Sequence, residues 1–202
     1  MTRLQLPITI RTPEYDEVPD VDAIRQKLEE RKRANLTEGF TLNHNTTGDS
    51  PFTFYAEINV NNENLWPLFK ALLLQFSGEF SFIYMHIDGE PAYSRHLNKE
   101  ELLGKLAPYE LELAKDGFLE FGVIYQDEKY LQEVYIKKVK YIQYWGMDEQ
   151  LLRNTLSGFG IYEVKGLNFI DEYPVATEAL RTHYPEAVET TDLLQRFGEI
   201  FV

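Results

Sequence analysis

Residues 62–76 constrain the fold more than any other segment, because their apolar side chains recur with the period of an α-helix. Six apolar residues share one helical face: Leu65, Leu68, Phe69, Leu72, Leu73 and Phe76. Pro67 falls in the first turn, which tolerates a residue without an amide hydrogen, and Gly78 is placed to end the helix. A stripe of this width predicts a helix that packs across a sheet, at the centre of the core.

Aromatic strands are predicted on both sides of this helix. Residues 52–60 alternate between apolar and polar side chains, which is typical of a strand with one buried face. Residues 79–88 alternate in the same way, with Phe80, Phe82 and Tyr84 on one face. A helical crossover of this length can leave its two strands parallel, so the pattern favours a mixed sheet over a purely antiparallel one.

The whole chain, residues 1–202, is predicted to form a single α+β domain with a mixed, mainly antiparallel sheet and helices packed on it. Residues 1–19 are interrupted by prolines and are expected to form an arm along a sheet edge. Residues 35–51 are dense in turn-forming residues and predict a polar, mobile loop.

A hairpin is predicted from residues 118–126 and 131–145, which are separated by a loop of hairpin length. Within the second segment, Val134 and Ile136 lie in one alternation phase while Val139 and Tyr141 lie in the other. If all four side chains are buried on the same face of one strand, the strand must contain one extra residue between the two pairs. The sequence therefore predicts a β-bulge near Lys137 and Lys138.

The chain is acidic, with 33 Asp and Glu residues against 20 Lys and Arg residues and a net charge of −13. A surface with this charge repels phosphate backbones and anionic lipids and attracts basic proteins. We therefore expect no nucleic-acid partner and no membrane partner. The negative charge favours a basic protein as the partner. The simpler alternative is that the charge only makes the protein soluble.

The chain contains no cysteine, which excludes disulfides, thiolate metal sites and cysteine nucleophiles. It has no apolar run of the length that a signal peptide or a membrane span requires, so a cytoplasmic location is expected. No phosphate loop and no serine-hydrolase elbow is present, and no cofactor is predicted. The composition leaves the oligomeric state open.

One candidate for metal or acid–base chemistry is formed by three residues around a predicted turn. His86 and Asp88 are two positions apart on a strand, so they project from the same face. His96 could approach them across the turn and complete the site. The alternative is a structural histidine that is hydrogen-bonded near a strand end.

Carboxylates at strand ends form a second candidate site. Asp171 and Glu172 follow the apolar pair Phe169 and Ile170, and Glu57 could face them from another strand. Paired carboxylates act as acid and base when burial separates their pKa values. The alternative is a solvated turn. Together with His86 and Asp88, these residues define the hypothesis of a hydrolase-like enzyme.

Aromatic and basic residues are concentrated near the end of the predicted hairpin. Three of them are lysines, Lys137, Lys138 and Lys140. Tyrosine and tryptophan are the residue types that anchor protein interfaces, whereas the charge of the whole chain opposes stacking on nucleic-acid bases. The candidate binding residues are therefore Tyr135, Tyr141, Tyr144 and Trp145.

This combination of acidity, many tyrosines and no catalytic motif is similar to that of bacterial immunity proteins, which neutralise basic toxin domains. The resemblance implies a non-catalytic protein-binding module, an inhibitor or immunity-type protein for a basic partner. We rank this hypothesis first and the hydrolase-like enzyme second. A structural or assembly protein ranks third, with the apolar face of a C-terminal helix as its subunit contact.

Overall fold

The computed structural model describes residues 3–47 and 50–201. Seven strands form the main sheet: β2 (Gly39–His44), β3 (Phe54–Asn59), β4 (Phe80–His86), β5 (Ala92–Leu97), β6 (Leu119–Gln126), β7 (Leu131–Ile136) and β8 (Ile142–Gly146). Their order across the sheet is β2-β3-β8-β7-β6-β4-β5. Two short strands, β1 (Ile10–Arg11) and β9 (Ala176–Thr177), pair separately.

Helices cover one face of the main sheet. The α-helices are α1 (Asp22–Arg31), α2 (Asn62–Leu73), α3 (Lys99–Leu106), α4 (Glu110–Lys115), α5 (Glu149–Gly158) and α6 (Thr190–Ile200). Buried side chains of α2 to α6 join the inward residues of the strands in one hydrophobic cluster. Within the described residues, no helix has both the length and the apolar character needed to cross a membrane.

Helix α2 confirms the prediction from the apolar stripe. Its apolar face is fully buried, and Leu68, Phe69 and Leu72 have no solvent exposure. The helix ends at Leu73, three residues earlier than the pattern suggests, yet Phe76 is still buried in the same cluster. Phe76 follows the apolar pattern although it lies beyond the end of the helix. Its ring packs edge-on against Phe80 at the start of β4, and this contact accounts for its burial.

The predicted fold class, an α+β domain with a mainly antiparallel sheet and helices packed on it, is confirmed. Strands β3 and β4, which flank α2, run in the same direction, as expected of a crossover. Three strands lie between them, so they are not hydrogen-bonded to each other. Every described strand pair is antiparallel, and the parallel component is limited to an isolated bridge between Phe40 and Glu163.

The segment predicted as a polar loop contains a strand. Of residues 35–51, β2 occupies Gly39–His44 and pairs with β3 along its full length. Residues 48 and 49 lie outside the described part of the chain. Phe40 is buried and Leu42 packs on the core, so the short alternation of β2 was hidden by the surrounding turn-forming residues.

The segment predicted as one bulged strand forms two strands. Strands β7 and β8 are joined by a tight turn in which the Lys137 amide donates to the Tyr141 carbonyl oxygen at 3.0 Å. Lys140 adopts a positive φ of 63°, a conformation more usual for glycine or asparagine. Its buried ammonium donates to the Leu119 carbonyl oxygen at 2.7 Å. This tertiary contact holds a turn that lacks the usual turn residues.

The N-terminal arm does not lie along an edge of the main sheet. Its strand β1 pairs with β9, and Leu4 and Leu6 pack on a second hydrophobic cluster. That cluster includes Val139 and Tyr141 of the β7–β8 turn. Prolines on both sides of β1 limit it to two residues. The arm is held by apolar contacts and by hydrogen bonds, such as the one from the Leu4 amide to the Leu36 carbonyl oxygen at 3.0 Å. Residues 1 and 2 of the predicted arm are outside the described part.

Candidate functional site

The sheet face opposite the helices is the candidate functional site, and we call it the outer face. Strand register aligns its side chains in two rows that cross the sheet. The first row is Asn43, Tyr55, Trp145, Glu133, Ile124, Ser81 and His96. The second row is Thr41, Glu57, Gln143, Tyr135, Gly122, Ile83 and Tyr93. A sheet face that carries exposed aromatic and acidic residues differs sharply from the mainly apolar face beneath the helices.

An aromatic pair occupies two neighbouring positions of the first row, next to Glu133. The rings of Tyr55 and Trp145 are 4.7 Å apart between centroids and tilted by 40°. Both side chains are half-buried, so each ring still has an accessible surface. Aromatic side chains fixed in this way present a large contact area and lose little conformational freedom on binding.

Tyr135 extends the aromatic surface along the second row. Its ring lies over Gly122, where a Cβ atom would come within 2.7 Å of Tyr135 Cδ2. Its hydroxyl donates to Glu120 Oε2 at 3.0 Å, and Tyr93 at the end of the row is 59% exposed. The glycine therefore allows the tyrosine ring to lie flat on the sheet.

Glu133 is an unpaired carboxylate within this aromatic surface. Its cross-strand neighbours are Trp145 on β8 and Ile124 on β6, neither of which can compensate a negative charge. Among the described residues, it has no hydrogen bond and no ion pair from its side chain. Burial raises the pKa of Glu133 from 4.5 to about 7. The folded chain thus holds this carboxylate at a cost in stability.

Glu120 shows what a compensated carboxylate looks like on the same face. It accepts hydrogen bonds from the Lys137 ammonium and the Tyr135 hydroxyl, each at 3.0 Å, and from the Lys138 amide. These groups border a groove of about 480 Å³ that also contains Asp171. The Glu120 carboxylate therefore spends its hydrogen bonds on the β7–β8 turn and on Tyr135. Within the described part of the chain, the Glu133 carboxylate has no hydrogen bond and no ion pair.

Two of the predicted carboxylates are brought into one network. Gln143 Nε2 donates to the Tyr55 hydroxyl at 2.8 Å and reaches Glu57 Oε1 at 3.5 Å. Tyr141 donates to Asp171 Oδ2 at 2.9 Å and lies 3.4 Å from the same amide. Burial, reinforced by Glu57, raises the pKa of Tyr55, and burial reinforced by Asp171 raises that of Tyr141. Both phenols remain neutral donors.

The predicted histidine site is not assembled. His86 shares the helix side of the sheet with Phe82 and Tyr84, so the sheet separates it from Glu57. Its ring stacks on Phe118 at 5.8 Å, and its Nδ1 accepts from the Asp88 amide at 3.2 Å. It therefore has a structural environment at the end of its strand.

His96 does not approach His86 across the turn. His96 pairs with Ser81 near the start of β4, whereas His86 is at the end of that strand. In the part of the chain that the structure describes, no three His, Asp or Glu side chains lie close enough to hold a metal ion. The five candidates for catalysis thus fall into separate places, with Glu57 and Asp171 in one network and His86 and Asp88 in another.

Glu172 closes a short turn rather than facing the network. Its carboxylate accepts from the Phe169 amide at 2.5 Å and from Asn168 Nδ2 at 3.0 Å. Both carboxylate oxygens are therefore occupied by groups of its own segment, Asn168 and Phe169. We assign Glu172 a structural role at the end of the second hydrophobic cluster.

The four predicted binding aromatics divide between surface and interior. Tyr135 and Trp145 lie on the outer face as described. Tyr144 is 2% exposed on the opposite side of β8, where it stacks on Phe54 and its hydroxyl accepts from Gln132 at 2.9 Å. Tyr141 is buried in the second cluster. Adjacent strand residues point to opposite faces, so Trp145 and Tyr144 cannot both contact one partner.

Glu133 and Tyr55 are missing from the residues predicted from the sequence. The signal was present in β7, where Val134 and Ile136 alternate with Glu133 and Tyr135. This alternation places the acid and the tyrosine on one face. Tyr55 becomes part of the same face only through the β3–β8 pairing, which sequence alone does not provide.

Replacing Glu133 with Gln is expected to stabilise the chain by about 3 kcal/mol at pH 8, since the pKa is raised from 4.5 to about 7 and each pKa unit corresponds to about 1.4 kcal/mol. The folded-state pKa lies above the free value, so the wild-type chain loses stability as the pH rises from 4.5 to about 7. The Gln variant lacks this loss. Urea denaturation of both proteins between pH 4 and pH 8 measures the difference, which should vanish at the acidic end; equal stability at pH 8 would contradict the raised pKa.

Comparison of the chain with protein-family models, with curated protein sequences and with solved structures found no match in any of the three. A functional conclusion therefore has to rest on the residues of the outer face.

Proposed function

We propose that this chain is a non-catalytic protein-binding module, of the inhibitor or immunity type, whose outer face contacts a basic protein. The single observation that carries the proposal is Glu133, a half-buried carboxylate among aromatic rings without a cationic partner in the described part of the chain. A residue that lowers stability in the free chain is readily explained if a partner's cation neutralises it in the complex. The cytoplasmic location expected from the sequence is part of the proposal.

The residues around Glu133 favour a lysine or arginine side chain of the partner as the group that binds to its carboxylate. Trp145, with the tilted ring of Tyr55 beside it, offers an aromatic face to an arginine or lysine, and Glu133 offers the opposite charge. Removal of water from this contact strengthens the charge pairing. Glu57 in the second row adds a further carboxylate within reach of the same partner surface.

The net charge of −13 supports the same class of partner. Opposite charges accelerate encounter and disfavour acidic competitors, while aromatic anchors in the interface determine most of the affinity. The outer face combines both properties. It carries acids for selection and Tyr55, Tyr135 and Trp145 for close contact.

The proposal is tested by affinity capture from native cell extract at low ionic strength, followed by elution with a salt gradient. The wild-type chain is compared with a double variant, Glu57→Gln with Glu133→Gln. The control is Glu100→Gln with Glu186→Gln, which removes two negative charges from exposed positions away from the outer face. The number of charges is thus the same in both variants.

The expected result is a basic protein that binds the wild-type chain and the control and is lost from the outer-face variant. Its complex should dissociate as the salt concentration rises, because part of the attraction is between charges. Equal loss in both variants would indicate attraction by net charge alone. Capture of no basic protein at low ionic strength would count against a binding function altogether.

A further inference from the structure

A cationic groove lies between the N-terminal arm and the end of helix α1 of this acidic molecule. It encloses about 410 Å³, and its charged lining residues are Arg3, Arg31 and Lys32. The rest of its wall is formed by Ala34, Asn35, Leu36 and Thr37. The volume falls in the range that small-molecule sites occupy. Such a concentration of positive charge is unexpected in a chain with a net charge of −13.

Arg31 is the central group of this groove. Arg31 is only 6% exposed, and its Nη1 donates to the Pro174 carbonyl oxygen at 3.3 Å. Its Nε is buried without a hydrogen-bond partner in the described structure. Burial lowers the pKa of Arg31, and the nearby charge of Arg3 lowers it further. An arginine that is buried beside another arginine lacks the anion that such a group normally pairs with.

No acidic residue in residues 3–47 and 50–201 forms an ion pair with Arg3 or Arg31. Lys32, in contrast, is already paired with Glu29 at 2.6 Å. Arg31 lies at the C-terminal end of α1, where the helix dipole offsets part of its positive charge. The dipole does not provide acceptors for the five donor hydrogens of the guanidinium group. Two uncompensated positive charges therefore face the groove.

A smaller cavity shares Arg3, Arg31 and Lys32 with the groove. It encloses about 160 Å³, and besides the three cations it is lined by Thr12, Pro13, Glu14, Tyr15 and Leu28. Its surface is mostly apolar, so it suits a carbon-rich group. A ligand that spans both cavities would place an anionic group on the arginines and an apolar group against Tyr15 and Leu28.

We propose that this groove binds a small phosphate monoester. A phosphate monoester carries close to two negative charges at neutral pH, which matches the two uncompensated guanidinium groups, and its oxygens accept paired hydrogen bonds from arginine. The proposal does not depend on the outer face, because it concerns different residues and a different class of ligand.

Isothermal titration calorimetry with phenyl phosphate tests the proposal on the full chain. Saturable binding is expected, tighter than that of inorganic phosphate, which lacks the ring, and tighter than that of benzoate, which carries one charge. Arg3→Gln should weaken phenyl phosphate binding about tenfold or more, as expected for the loss of one charge-assisted contact. Arg3 is exposed, so this variant should fold normally.

Two further variants make the result specific. Arg33→Gln removes the same charge from an exposed residue that does not line either cavity, and it should bind phenyl phosphate like the wild-type chain. Arg31→Lys keeps the charge but loses the planar donor fork, and it should bind more weakly than the wild-type chain. The proposal is overturned by non-saturable binding, by equal effects of the Arg3 and Arg33 variants, or by benzoate or inorganic phosphate binding as tightly as phenyl phosphate.

Discussion

Replacing Phe82 with alanine is expected to lower the free energy of unfolding by about 3–5 kcal/mol, the range found when a buried phenylalanine is truncated. Phe82 has no solvent exposure, and its ring lies 5.6 Å from Phe197 and 4.9 Å from Phe201. It also packs against Phe121 of the neighbouring strand β6. The variant therefore opens a cavity where α6 meets the sheet, and it removes the aromatic contacts that hold this helix.

Chemical denaturation followed by circular dichroism measures this loss. A matched control is Leu74→Ala, since Leu74 is also apolar but 58% exposed and should change the stability by less than about 0.5 kcal/mol. If the two variants lost the same free energy, the packing of α6 on β4 described here would be incorrect. Hydrogen exchange should additionally show that α6 is the element most affected.

If the proposed function holds, replacing Trp145 with alanine is expected to weaken binding of the proposed basic partner about 100-fold, since central aromatic anchors of interfaces often contribute 2 kcal/mol or more. The residue is half-buried against Tyr55 and lies directly opposite Glu133. Its loss removes the aromatic surface on which a partner's cation would rest. It also leaves Glu133 more accessible to water, which weakens the charge pairing.

The affinity for the captured partner, measured by surface plasmon resonance, distinguishes this role from a general effect of removing an aromatic residue. Tyr162→Ala is the control, because Tyr162 is 63% exposed and lies outside both rows of the outer face. It should bind as the wild-type chain does. A Trp145 variant that retained wild-type affinity would place the interface elsewhere on the molecule.

Local periodicity was sufficient to predict much of this fold. The stripe of α2 and the alternation of β3 and β4 correspond to observed elements, because each satisfies its hydrophobic pattern within one short segment. Asn98 caps α3 through an equally local contact, in which its side chain accepts from the Glu101 amide at 2.9 Å. In these places local and tertiary preferences agree.

The errors arose where long-range contacts override local preferences. The β7–β8 turn has no glycine or asparagine, and it depends on Lys140, whose ammonium reaches Leu119 and lies 5.6 Å from the Phe121 ring centroid. Strand β2 is specified by its pairing with β3 rather than by its own composition. A single sequence does not reveal either interaction.

The candidate site was predictable only in part for a similar reason. Glu57 and Trp145 were singled out from their types and positions, but their common face depends on the order β3-β8-β7 in the sheet. That order also brings Glu133 against Trp145. Pairing between strands distant in sequence is set by the total burial of the core, so the outer face emerges only once the strand order is known.

Binding of the proposed basic partner by the Glu133→Gln variant is the sharpest test of the role of Glu133, because the substitution should have two effects of opposite sign. At pH 8 the variant should be more stable than the wild-type chain, and it should bind the basic partner at least about tenfold more weakly, as expected for the loss of a charge-assisted contact. Both quantities are measured on the same preparations. A variant that is more stable and binds with unchanged affinity would contradict the assignment of Glu133 as the acceptor of the partner's cation.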